Sequence, residues 1–290
     1  MIRLVVGVLV SAWFCVSLPE EEPLDLRDLD GNLLPKKLAD RRSREESSSV
    51  STKTVLARPG CPEGMVYIPE GTFGGVILNG FCLDTDEVTV AKFDDYFRML
   101  RSAEEPRMTK TKIRRLKASL ATASAEATMQ SGACTWHHKG SPLSPINCIS
   151  VVEAEAYCRF YGKRLPSRRE WRWAARGGER AWQYPWGRAK PSPERVRMAL
   201  SSTEPDLRPV SVGGFPASLF GVRDLGGNVS EWNACGDLDR DCSSSGGNFR
   251  DKDEESFRVA KERERADRDT RGDTIGFRCA SAPLRKRTRP

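Results

Sequence analysis

Apolar residues run from Leu4 to Leu18, behind a single positive charge at Arg3 and ahead of an acidic stop at Glu20-Glu21-Glu22. A short apolar core, a basic residue before it and small residues at Ser11 and Ser17 have the form of a secretory signal peptide, expected over 1–17. The run is too short to cross a bilayer, which takes about 20 residues. Cys15 raises the question of a lipid anchor, but Phe14 stands where lipoprotein processing requires a small residue, and this argues against lipidation. From 18 to 58 no apolar period is sustained; nine acidic and eight basic residues are mixed with Ser47-Ser48-Ser49. Such a stretch buries too little apolar surface to offset its ordering entropy, so 18–58 is expected to be a disordered linker.

Regular patterning starts at Gly64. Gly64–Pro69 reads as a strand closed by a turn at Glu70-Gly71, and Gly80–Asp84 as a second extended piece. From Val90 to about Arg101, Phe93, Tyr96, Phe97 and Leu100 recur three and four apart, which is one apolar face of a helix. Residues 101–133 are basic and alanine-rich without a core pattern, and read as an insertion, partly helical and mostly solvated. Ser150 caps a second helix that runs through Cys158 and ends by Gly162. Ser167 caps a third, Arg168–Arg176, which stops at Gly177-Gly178. From 177 to 250, glycines and prolines supply turns but few long periodic runs. The domain is therefore drawn over 59–283, followed by a solvated basic tail at 284–290 that contains Arg285-Lys286-Arg287-Thr288-Arg289.

Composition narrows the class. The 290 residues are 38% hydrophobic, which excludes a polytopic membrane protein, and one domain of this size needs no outside help to build a core. The net charge of +7, from 47 basic and 40 acidic residues, is dispersed over both signs, unlike the concentrated basic face of a nucleic-acid binder. The histidines are two, adjacent at His137 and His138, which argues against histidine-based metal catalysis. Nine cysteines are many for a cytosolic enzyme. Loss of the signal peptide removes Cys15 and leaves an even number, which in an exported chain points to disulfides whose connectivity the count does not fix. There is no C-x-x-C pair, against a zinc ribbon or thioredoxin-type motif. Trp171, Trp173, Trp182, Trp186 and Trp232 cluster around the glycine-rich phrases, and core packing is the default for tryptophan.

Several phrases follow in a fixed order: Ala156-Tyr157-Cys158, Arg164-Leu165-Pro166-Ser167, Tyr184-Pro185-Trp186-Gly187, Gly226-Gly227-Asn228-Val229-Ser230-Glu231-Trp232, Gly246-Gly247-Asn248-Phe249 and Gly276-Phe277-Arg278-Cys279. With Gly64–Phe73 and Asp86–Thr89, this order resembles the formylglycine-generating enzyme family, also called the sulfatase-modifying factor domain, over about 61–282. The resemblance implies a loop-rich, disulfide-bonded α+β domain of the C-type-lectin-like kind. It implies a bridge from Cys158 to Cys279. Pairs Cys61–Cys82, Cys134–Cys148 and Cys235–Cys242 are inferred from proximity in the chain alone.

The family's enzymes oxidise a sulfatase cysteine to formylglycine with molecular oxygen and copper held by two thiolates spaced i, i+5 after the Gly-Gly phrase. Soft Cu(I) requires such soft ligands. Counted from Gly246-Gly247, those positions fall on Asp251 and Ser256, so copper and the family's redox activity are not expected. Cys235 and Cys242 flank Asp237, Asp239 and Asp241, a loop better read as closed by a disulfide than as a metal site. The resemblance also implies a structural calcium on the Asn228 and Glu231 oxygens. Asn228-Val229-Ser230 matches a glycosylation sequon as well. Arg258, Arg265 and Arg271 match arginines that brace the last loops and line the family's cleft, although residues 250–278, with nine acids and nine bases, also suit a solvated, ion-paired surface.

The reading that results is a secreted or periplasmic, monomeric member of this family. It would be a non-catalytic binding or scaffold module for a peptide, a glycan or another envelope protein, and would not bind nucleic acid. The alternative is an active oxidase with a rearranged cysteine site. Iron-using sulfoxide synthases share the domain but use histidines, which fit this chain poorly.

Overall fold

The computed structural model describes residues 59–101, 133–136, 141–200, 207–236, 242–263 and 265–284. The chain divides into two units, Met1–Ala57 and Arg58–Pro290, and the described residues belong to the second. The expected signal peptide and linker, residues 102–132 of the expected insertion, His137-His138, Asp237–Asp241 and the tail past Leu284 lie outside the described residues.

The first strand, Met65–Ile68 (β1), is followed by a hairpin of Gly71–Phe73 (β2) and Val76–Leu78 (β3), and then by Phe81–Asp84 (β4). The hairpin was not foreseen, though its signal was present. Gly74 and Gly75 both sit at positive φ, +59° and +74°, the pair of left-handed residues that a two-residue hairpin turn requires. β4 is buried at all four positions because it is the central strand, antiparallel to β1 (Met65 opposite Asp84) and to the last strand, Ala280–Ser281 (β8).

Helix α1, Val90–Arg101, starts where the Thr89 hydroxyl accepts from Lys92 N at 3.3 Å, and it buries Phe93, Tyr96 and Leu100 completely. Two Ser-x-x-Glu boxes set the next two helices. Glu153 accepts from Ser150 N at 2.8 Å to open α2, Val151–Phe160, and Glu170 accepts from Ser167 N at 2.8 Å to open α3, Arg168–Ala175. Helices α1 and α2 meet through aromatic rings: Phe93 stacks on Tyr157 with centroids 5.7 Å apart, and Phe277 meets Tyr157 edge-on at 5.3 Å. A second core gathers Trp171 and Trp173 of α3 with Ile68, Leu83, Val222 and Leu225.

The glycine-rich half folds with little regular structure. Ser230–Trp232 (β5) lies between antiparallel Ser244–Ser245 (β6) and parallel Ile275–Gly276 (β7). The segment 275–281 therefore enters one sheet through β7 and the other through β8. Disulfides link Cys61 to Cys82, Cys134 to Cys148, Cys158 to Cys279 and Cys235 to Cys242. No helix among the described residues is long and apolar enough to cross a membrane.

Candidate functional site

The Gly246-Gly247 turn packs against three elements at once. A Cβ on Gly246 would meet Leu225 O at 2.9 Å, and one on Gly247 would meet the Phe257 ring at 2.5 Å, so only glycine lets these backbones approach. Directly after it, Asp251 is occupied as a loop clasp. Its Oδ2 accepts from Asn248 N at 2.8 Å and pairs with the Arg263 guanidinium, and its carbonyl accepts from Ala199 N at 2.9 Å. Arg263 also donates to Gly246 O at 2.9 Å, tying the turn to the loop. Ser256 lies in a single helical turn, Glu254–Phe257, with its N–H on Asp253 O. A carboxylate held by a guanidinium and a hydroxyl offer no thiolate to Cu(I), and the eight domain cysteines are all in disulfides. The donor set at 251 and 256 does not fit copper.

The three arginines expected to brace the last loops and line a cleft lie in three separate settings, and Arg258 lines a hollow with Arg172 and Arg176. Arg258 lies over the Tyr184 ring, 6.0 Å from its centroid, and pairs with Glu255 at 2.6 Å. Arg271 reaches buried Glu153 at 2.9 Å and so braces the cap of α2. Arg265 is exposed. The arginine on the Gly-Gly turn is Arg263, which the sequence hid among its charged neighbours.

Asn228 and Glu231 lie in a buried polar cluster. Asn228 adopts φ +61°, a conformation asparagine tolerates, and is buried, as is the sequon it opens. Its amide donates to Glu87 at 2.8 Å, and its Oδ1 accepts from Val210 N at 2.9 Å. Both Glu231 oxygens accept from Arg278 at 2.7 Å, and one also accepts from Trp171 Nε1 at 2.8 Å. Arg278 donates in addition to the carbonyls of Asp84, Thr85 and Arg223. A calcium ion would need these oxygens turned to one point and free of cations. With a guanidinium on Glu231 and a backbone N–H on Asn228, the arrangement does not fit the ion.

Sequence reasoning missed Glu87 and the Glu231–Arg278 pair, although both lie in phrases already noticed. Glu87 is fully buried, accepts from Asn228 and Val229 N, and faces Asp224 and Glu231. Burial first, then the like charges of Asp224 and Glu231, push its carboxyl well above the ordinary value of 4.5, against the pull of Arg278. Burial raises Asp224 as well. The folded protein thus holds a proton that the unfolded chain releases. This contribution to stability is full below the ordinary glutamate value and is lost as pH rises through the folded one. Glu87→Gln is expected to remove that decline. Melting temperatures of both proteins, followed upward from about pH 4, test it; parallel profiles would show Glu87 ionised in the fold.

Comparison with known proteins identifies the family. The sulfatase-modifying factor enzyme 1-like domain family matches residues 52–283. The inactive C-alpha-formylglycine-generating enzyme 2 of Bos taurus is 35% identical over 47% of this chain and 50% of its own length. The formylglycine-generating enzyme of Mus musculus is 28% identical over 68% of this chain and 64% of its own. The chain thus spans about half to just under two thirds of these curated relatives. Among solved structures, PvdO from Pseudomonas aeruginosa superposes with a TM-score of 0.54 at 20% identity, covering 76% of this chain and 94% of that one. The fold is the loop-rich, disulfide-bonded α+β one of the C-type-lectin-like kind, and the chain belongs to the sulfatase-modifying factor enzyme 1-like domain family.

Proposed function

We propose that this protein is an exported, non-catalytic member of the family, a binding module built on a scaffold whose copper site has been replaced. The observation that carries the reading is the clasp at Asp251. Where the resemblance calls for a copper thiolate, the chain has a carboxylate engaged by Arg263 and Asn248 N, which holds the Gly-Gly turn closed. Four disulfides support export and leave no domain cysteine to take over. The likeness to a relative described as inactive is consistent with the same reading.

Incubation with copper, oxygen and a cysteine peptide of the sulfatase kind is expected to leave the peptide mass unchanged. The rearranged-oxidase alternative would run through opening of Cys235–Cys242, whose cysteines stand seven apart. Turnover that survives Asp251→Ala and Ser256→Ala but is lost with Cys235→Ala would establish it and overturn the proposal.

A further inference from the structure

Helix α3, the β2–β3 hairpin and the segments 181–183 and 258–260 enclose a groove. Two adjoining hollows, of about 560 Å³ and about 280 Å³, share Phe73 and Arg172 in their walls. Arg168, Arg169, Arg172, Arg176 and Arg258 line them, and among the described residues no acidic side chain does. Glu262, 64% exposed, reaches Arg168 only at 3.5 Å and Arg172 at 3.7 Å. Arg172 donates through a terminal nitrogen to the carbonyls of Ala260 and Lys261 at 2.8 and 3.3 Å, while its Nε is buried with no partner among the described residues; burial, followed by the charge of Arg168, lowers the pKa of this guanidinium. The hairpin side is apolar. Phe73 lies 4.7 Å under the Arg176 guanidinium, and Val76 stands 37% exposed beside it. Trp182, expected in the core, is only half-buried at the far end.

A row of like charges along one helix is unfavourable until something anionic meets it. Arg168, Arg172 and Arg176 stand four residues apart, a repeat of roughly 6 Å along the helix axis. Side chains on one face of an extended chain recur roughly every 6.6 Å. Alternate carboxylates of an extended peptide therefore reach successive guanidiniums, while the side chains between them face Phe73 and Val76. A sulfated glycan would meet the guanidiniums but would leave the apolar hairpin wall unused. We infer that this groove binds an extended acidic segment of a partner protein, with carboxylates alternating with apolar side chains. The inference rests on the reading of the protein as a binding module and gives that module a surface and a ligand chemistry.

Fluorescence anisotropy of the full chain with a labelled peptide of alternating glutamate and valine tests it, beside a peptide with glutamine for glutamate and a labelled heparin oligosaccharide. Saturable binding of the acidic peptide is expected, weakening with salt and falling about tenfold or more in Arg169→Glu/Arg176→Glu. Should the double variant fail to fold, Arg168→Glu alone, whose side chain is 39% exposed, carries the same expectation of weaker binding. Absence of peptide binding, equal binding by the glutamine peptide or by the variants, or binding of the oligosaccharide alone would overturn the assignment. The same preparation enters the copper assay, where turnover would overturn the non-catalytic reading and leave the anisotropy result standing, so the two failures are separable.

Discussion

Arg278→Met is expected to destabilise the domain by about 3–5 kcal/mol, the usual cost of breaking a buried ion pair from one side. Arg278 and Glu231 are 0% and 1% exposed, so water cannot replace the lost partner. The variant would leave the Glu231 carboxylate with Trp171 Nε1 alone, beside the buried carboxyls of Glu87 and Asp224, and would strip donors from the carbonyls of Asp84, Thr85 and Arg223. Removing both charges, in Arg278→Met/Glu231→Leu, is expected to cost clearly less than the sum of the single changes, because no lone charge is left behind. Urea unfolding of the four proteins in the cycle measures this. A single-variant loss under about 1 kcal/mol would place the pair in contact with solvent.

Removal of the Cys158–Cys279 bridge by paired alanines is expected to cost about 4–5 kcal/mol in the chain-entropy account, since the bridge closes a separation of 121 residues. Both cysteines are fully buried, at the end of α2 and just before β8, so the loss of sulfur packing adds to the effect. Cys134–Cys148 closes only 14 residues and is expected to contribute about 3 kcal/mol. Denaturant midpoints of the two paired variants compare them. An equal loss from both would mean that native packing, rather than restriction of the unfolded chain, sets the value of these bridges.

Local chemistry made part of this molecule readable. Ser150–Glu153 and Ser167–Glu170 announce two helices because both halves of each cap lie within four residues. The face of α1 is visible because Phe93, Tyr96, Phe97 and Leu100 keep a helical period. The strands β5, β6 and β7 carry no comparable signal, being two or three residues long and held by partners up to 45 residues away, as with Ser230 and Ile275. The site was legible in its identities and not in its pairings. Asp251 and Ser256 mark the missing thiolates by counting alone. That Asp251 meets Arg263, or that Glu231 meets Arg278 across 47 residues, depends on how the loops cross. The same holds for the α3 groove, whose arginines read in sequence as dispersed charge until the hairpin closes over them.

The seven residues from Ile275 to Ser281 pair with β5 through β7 and with β4 through β8, and they carry both Arg278 and Cys279. A ribosome or a translocation channel delivers this segment after every partner it joins. Neither sheet can reach its final width, and the central arginine cannot meet its carboxylate, until the chain has emerged to about Ser281. The order of synthesis therefore keeps the domain open to the end, and closure is a late, long-range event of the kind that makes folding slow.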